Sequence, residues 1–376
     1  MPHPDLTERA PDKDASPMRI AMITDGATVG QDSADLATAL TRLGHDVVVH
    51  DNTHGGHRRK TDAITWLADQ WRITRPAVVH NRSRSLGVAA VTAARGLAIP
   101  VVHSARGAED TPTGTVERDI ALRSDRVIVS HPAELLELVA GKVPRSRCSV
   151  VPYGVDTEHF TPDGDHPPIG LRHRLVAVGD LTPSTGFATA VAALAGVPDT
   201  ELVIVGSPPH GAHAKDLRRY ASRLGVADRL LICRSVTRSE LPPLLRSAHI
   251  VLATPWRPRF GITALQAAAC GVTVVANDIG GLADTVIDGI TGLLVAPRRP
   301  RALAEAVRRL LAHPVLLQQY GATARDRAAS RYSWNQIAVD TLNTYRHAGA
   351  TARDGADVIS LRRTHRRSVP AMQPDH

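Results

Sequence analysis

The sequence predicts an α/β protein made of two doubly wound parallel sheets, and three observations carry that prediction. Short apolar runs alternate with amphipathic helical stretches along most of the chain. Glycine turns stand between run and helix, as at Gly26, Gly30, Gly179 and Gly186. A Pro/Gly/Asp-rich segment, Thr161 to Gly170, interrupts the alternation once, after which it restarts. Strands that alternate with helices pair in parallel, because each connection must cross a face of the sheet. In such sheets ligands bind beyond the C-terminal strand ends. Two such domains are expected to face each other across a central cleft.

The elements follow in order. Residues 1–17 are rich in Pro and Asp and read as a disordered leader. Met18 to Thr24 is the first strand, Asp25 to Gln31 a glycine turn, and a helix follows to Leu43. Asp32 or Ser33 is its candidate cap. Asp46 to His50, Pro76 to His80, Pro100 to His103 and Arg126 to Ser130 are further strands. Thr61 to Ile73, Leu86 to Leu97, Val116 to Ser124 and Pro132 to Ala140 are the helices between and after them. Val150-Val151 is a short strand that ends in PYGVD.

Past the linker, Leu175 to Val178, Glu201 to Val205, Leu230 to Cys233 and Ile250 to Ala253 are strands. Phe187 to Leu194, Ala214 to Leu224 and Arg238 to Ser247 are helices. A helix from Ile262 stops at Gly271, Val272 to Ala276 is a strand, and Gly280-Gly281 turns into a short helix. Helices to Leu311, from Leu316 to Ser330 and from Trp334 to His347 close the fold. The domains are therefore expected at 18–165 and 166–333. The helix at 334–348 is expected to cross back to the first, and a disordered basic tail to occupy 349–376.

Composition bounds the class. The 376 residues are 43% hydrophobic and 22% charged, which suits a globular protein with two cores. No apolar run is long enough to span a bilayer, and the polar N-terminus has no signal-like core, so a cytoplasmic location is expected. Cys148, Cys233 and Cys270 are isolated, without disulfide or zinc spacing. The net charge of +8 comes almost wholly from arginine, since the lysines are Lys13, Lys60, Lys142 and Lys215. A solvated basic surface is the plainer reading. No nucleic acid partner and at most peripheral membrane contact are expected, even with the RRTHRR run at Arg362 to Arg367. His210/His213 and His54/His57 lack companion ligands and read as loop histidines. Cys270 reads as a small buried hydrophobe.

Several motifs now point one way. Leu36 to Leu40 with Gly44 to Val47, Val150 to Asp156, and Val178-Gly179-x-Leu181-x-Pro183-x-x-Gly186 stand in order. Phe260 to Leu265, Ala269 to Gly271, Gly280 to Leu282, Asp288 to Val295 and Ser333-Trp334 follow. Together they resemble the bacterial family 4 retaining glycosyltransferases over about residues 18–347. The resemblance implies the GT-B fold of two Rossmann-like domains. It implies transfer of a sugar from a nucleotide diphosphate sugar with retention, and no metal or other cofactor. It places the donor on the second domain and a small polar or lipid-linked acceptor on the first. Inositol phosphate acceptors occur within the family, although nothing in this sequence singles them out.

Residue by residue, the resemblance puts Gly179, Thr185, Gly186, Arg259, Gly261, Ile262, Thr263 and Gln266 on the donor side. Gly30, Gln31, His80 and Arg106 fall on the acceptor side, with His80 open to a structural reading as well. The family's two donor-site glutamates fall on Pro258 and Gln266, and its phosphate-gripping arginine and lysine on Asp180 and Thr185. A histidine position is Arg106, and a glycine near the base is Arg234. Proline offers no polar side chain, and an aspartate repels a diphosphate. No catalytic residue is therefore assigned. Two functions stay open: a transferase with a divergent donor site, or a catalytically silent homologue that binds a ligand or a partner glycosyltransferase. In the first, Arg257, Arg259 and Arg234 could supply the missing charge.

Overall fold

The computed structural model describes residues 16–25, 31–51, 60–105, 114–257 and 260–349. Most of the expected leader and the expected basic tail lie outside these residues. The chain divides into two compact units. One comprises Met1–Ser104, Asp119–Ile128 and Ala338–His376; the other comprises Ala105–Arg118 and Val129–Ile337.

The first sheet is built from β1 (Arg19–Thr24), β2 (Asp46–Asp51), β3 (Val78–Asn81), β4 (Val101–Ser104), β5 (Arg126–Val129) and β6 (Cys148–Val150). Its order is β2-β1-β3-β4-β5-β6, and the pairs from β2 through β5 are parallel. Its helices are α1 (Gln31–Arg42), α2 (Lys60–Thr74), α3 (Gly87–Gly96), α4 (Thr115–Arg123) and α5 (Pro132–Ala140). Alternate strand residues point to opposite faces. Ala21, Ile23, Val79 and Val101 pack with Leu67 and Trp71 of α2 and with Ala90 and Ala94 of α3. The intervening Ile20 and Met22 are equally buried, so both faces are covered. α1 begins at Gln31, so Asp32 and Ser33 sit in its first turn rather than capping it.

The second sheet holds β7 (His173–Val178), β8 (Thr200–Val205), β9 (Leu230–Cys233), β10 (Ile250–Ala253), β11 (Thr273–Asn277) and β12 (Gly292–Val295). All its pairs are parallel, in the order β12-β11-β10-β7-β8-β9. Its helices are α6 (Phe187–Leu194), α7 (Ala212–Arg223), α8 (Leu241–Arg246), α9 (Ile262–Ala269), α10 (Leu282–Thr285), α11 (Pro300–Leu311) and α12 (Pro314–Tyr332), and the last helix, α13 (334–349), belongs to the first unit from Ala338 onward. Leu175, Ala177, Leu202 and Ile204 pack with α6, α7 and α11 on one face. Val176, Val203 and Val205 pack with α8, α9 and α12 on the other. A period of two along each strand thus gives the doubly wound sheet that the alternation predicts. β12 was legible only as a glycine motif. It is an edge strand whose Gly292 runs so close to β11 that a Cβ there would lie 2.3 Å from the Val274 carbonyl oxygen.

Two of the motifs pack against each other within the second unit. The Val155 N–H donates to the Tyr332 carbonyl at 2.8 Å. A Cβ at Gly154 would lie 2.4 Å from the Trp334 ring. The glycine of PYGVD is therefore the seat of the tryptophan from Ser333-Trp334. Among the described residues no helix is long and apolar enough to cross a membrane.

Strand order reverses between β1 and β3 in the first sheet, and between β7 and β10 in the second. Loops leaving such neighbours diverge to opposite faces and open a crevice between them. The segments that hold Gly179 to Gly186 and Gly261 to Gln266 leave β7 and β10, whereas Arg106 follows β4 and Arg234 follows β9.

Candidate functional site

In the second unit, the loop after β7 (Gly179 to Gly186) meets the loop after β10 (from Thr254). The Thr254 hydroxyl donates to the Gly186 carbonyl at 3.2 Å, with the Thr185 carbonyl at 3.4 Å. The Trp256 N–H donates to the Ser184 carbonyl at 2.9 Å. The fully buried Asn277, at the end of β11, donates its amide to the Pro255 carbonyl at 2.8 Å. Gly186 is left-handed (φ +71°), and a Cβ there would sit 1.8 Å from the Thr254 carbonyl oxygen. Only glycine permits that approach.

The same logic sets the start of α9. Gly261 is left-handed (φ +85°), and a Cβ there would lie 2.3 Å from Leu282 Cδ2. The Thr285 hydroxyl donates to the Phe260 carbonyl at 3.1 Å, tying the turn to α10. No side chain caps α9. Its first N–H groups, at Ile262 and Thr263, thus stand at the positive end of the helix dipole. Ile262 is exposed, while Thr263 and Gln266 are half-buried.

Two expectations are corrected here. Thr185 is buried, and its hydroxyl is committed to its own loop, with the Thr182 carbonyl at 2.6 Å and the Asp180 carbonyl at 3.0 Å. It fastens the loop instead of offering a proton to a phosphate. Arg234 is likewise engaged: its guanidinium lies 2.9 Å from Glu240 and 2.8 Å from the Ser235 carbonyl. Glu240 also accepts the Thr237 N–H at 2.7 Å, completing a Thr-x-x-Glu box ahead of α8. The Arg234 hydrogen bond, then those to Thr237, hold the Glu240 carboxyl down at about 2. Arg234 is thus already paired with Glu240 at the exposed surface. Asp180 is exposed and Arg257 is exposed and already engaged. Pro258 and Arg259 lie outside the described residues.

In the first unit, the corresponding crevice is built from side chains. Asp25, at the end of β1, accepts the Ser83 and Ser85 hydroxyls, the latter at 2.6 Å, and the Arg84 N–H at 2.9 Å. Burial raises its carboxyl, but these bonds together outweigh burial and leave it below the usual carboxylate range. The Arg82 side chain bonds Asp32 and Ser33 of α1, each at 2.9 Å. Gln31 is exposed and donates to Asp35 at 3.0 Å. Gly30 and Arg106 lie outside the described residues.

His80 is corrected as an acceptor contact. It is fully buried, with Nε2 2.8 Å from the Ser104 hydroxyl and Nδ1 2.7 Å from the Tyr345 hydroxyl. Both ring nitrogens are satisfied inside the unit, and burial raises the tyrosine's pKa. The apolar run that ends in His80 signals this burial as readily as it signals a strand end. Sequence reasoning passed over Asp25, Arg82, Ser83, Ser85 and Asn277. Their one visible signal is position, since each stands at or just past a strand's C-terminal end. Cys270 is buried as expected, its thiol pushed up to about 12 by burial. Among the described residues no cluster of three His, Cys, Asp or Glu could hold a metal ion. His54 and His57 lie outside those residues.

Comparison with known proteins agrees with this frame. Residues 170–327 match the family described as Glycosyl transferases group 1, and residues 52–159 match Glycosyltransferase Family 4. The chain is 31% identical to a D-inositol 3-phosphate glycosyltransferase of Mycobacteroides abscessus, over 93% of this chain and 81% of that one. A glycosyltransferase structure from Rickettsia africae superposes with a TM-score of 0.78 at 17% identity, covering 89% of this chain and 99% of that one. Anabaena HepE, solved with UDP and glucose, gives 0.72 at 18% identity, covering 87% and 99%. The fold is GT-B. The chain belongs to the family 4 glycosyltransferases.

Proposed function

We propose that this chain binds a nucleotide diphosphate sugar at the second unit's crevice and transfers the sugar, with retention, to a small polar acceptor. The observation that carries this is the backbone frame: the Gly179–Gly186 turn hydrogen-bonded to the Thr254–Trp256 loop, beside the uncapped start of α9. Helix N–H groups and their dipole favour a diphosphate without any added metal. The Gln266 amide, without a side-chain partner among the described residues, suits a ribose hydroxyl. An inositol phosphate is the acceptor to try first, because the Mycobacteroides relative is named for one. Calorimetry with UDP, GDP and ADP and their sugars tests the donor half. Binding of one of them is the expected outcome, and a protein that binds none refutes the reading.

A second reading, the catalytically silent homologue, is favoured by exposed Asp180 and by the inward hydroxyl of Thr185. Loss of a charge that stabilises a leaving diphosphate slows transfer by roughly a hundredfold per group. The combined variant Pro258→Glu, Gln266→Glu, Asp180→Arg, Thr185→Lys separates the two. If only charge is missing, it raises donor affinity by about tenfold or more. An unchanged affinity, with no transfer by the wild type, leaves the silent homologue standing.

A further inference from the structure

Deepening the donor-binding proposal, and resting on it, we propose that Arg298 supplies the cation for the donor's diphosphate, in place of the family's arginine and lysine. Arg298 follows β12 in the turn Ala296 to Arg299, which leaves the same C-terminal edge of the second sheet as the donor loops. Its guanidinium lies over the Trp256 ring, 4.5 Å from the ring centroid. Trp256 is itself part of the frame. Its main-chain N–H donates to the Ser184 carbonyl at 2.9 Å. A Cβ on Gly186 would lie 2.9 Å from its indole nitrogen, so the ring edge abuts Gly186. The indole thus touches the turn around position 185 with its edge and carries an arginine on its face. Position 185 is where the resemblance places the missing lysine.

Three properties suit Arg298 to this role. First, it is exposed, and no carboxylate or carbonyl among the described residues accepts a hydrogen bond from it. Arg234 differs, being paired with Glu240. Second, stacking occupies only the flat face of the guanidinium. Its N–H donors lie in the plane and stay open to two phosphate oxygens at once. Third, the main chain at Arg298 is left-handed (φ +60°), an uncommon conformation for a residue with a Cβ. Among the described residues the buried Trp256 indole N–H has no hydrogen-bond partner.

The test uses the full chain with inorganic pyrophosphate and UDP as probes, read by calorimetry at two salt concentrations. Arg298→Ala is expected to weaken both by about tenfold and to flatten the salt dependence, while leaving the thermal midpoint unchanged. Arg298→Lys should keep part of the affinity, and Arg298→Glu should abolish it. Wild-type binding that Arg298→Ala leaves intact overturns the role of Arg298 and spares the donor-binding proposal. A wild type that binds neither these probes nor GDP, ADP or the nucleotide sugars overturns both.

Discussion

The two crevices do the same topological job with opposite materials. At the first, between β1 and β3, side chains do the joining: Asp25 takes two serine hydroxyls, and Arg82 spans to Asp32 and Ser33. At the second, between β7 and β10, the main chain does it: glycines allow contact, and threonine hydroxyls bond carbonyls. A network of charged side chains fixes what kind of ligand can enter, because each group is already oriented. A backbone frame fixes where phosphate oxygens would sit but contributes little net charge. The second crevice can therefore lose Asp180 and Thr185 as cationic positions and keep its shape. The first could not exchange Asp25 or Arg82 without rebuilding its loop.

Gly186→Ala is the strongest way to break the backbone side of this contrast. The new Cβ would meet the Thr254 carbonyl oxygen at 1.8 Å, and backbone cannot swing aside as a side chain can. Overpacking against the main chain together with a left-handed alanine costs about 4 kcal/mol. Urea denaturation should show that loss, along with loss of donor binding. A loss under 1 kcal/mol would mean the two loops are not locked.

Arg82→Ala breaks the side-chain crevice instead. The Arg82–Asp32 pair is largely buried, with side-chain exposures of 8% and 19%. Removing the arginine takes a partly buried ion pair from Asp32, for about 3 kcal/mol. The double variant Arg82→Ala/Asp32→Ala should recover much of that loss. If it does not, the arginine acts mainly through Ser33 and packing. Donor binding at the second unit should be unaffected in either variant, which sharpens the division between the crevices.

The fold was legible in the sequence because glycines mark many of the turns between strands and helices. Gly44, Gly179, Gly186, Gly261 and Gly271 sit where the chain turns, and apolar runs alternate at the periods that sheets and helices impose. The backbone-built crevice was legible for the same reason: glycines that permit close approach are visible as letters. The side-chain crevice was not. Asp25 and Ser83 lie 58 residues apart and meet only because β1 and β3 are neighbours in the sheet, an order that local pattern does not encode. His80 was ambiguous because a strand-end histidine can look outward or inward. Its partner Tyr345, 265 residues away, decides which. Arg298 was invisible because its value depends on where Trp256 lies, and because the chain is full of arginines.

The smallest expected effect separates the crevices by pH. Burial lowers the pKa of His50 in the first unit and of His173 and His249 in the second. For a histidine lowered in this way, the unfolded chain binds the proton first. The neutral ring's stability is present above the unfolded value of about 6.5 and drains as pH falls through the folded value. Both units share that window. Asp25 adds another in the first unit, because its carboxyl is also lowered, as is that of Glu240 in the second. Its contribution is present above the unfolded carboxylate value of about 3.9 and is lost only as pH falls through the lower folded one. Urea midpoints measured from pH 8 to pH 3 should therefore decline in two stages. Asp25→Asn should shrink the acidic stage, leaving the Glu240 part and the histidine stage in place, and His50→Phe should shrink the first unit's histidine stage to the part due to His45. If Asp25→Asn left the acidic stage unaltered, the serine hydroxyls around Asp25 would not be holding a charge there, and the crevice would be polar without being charged.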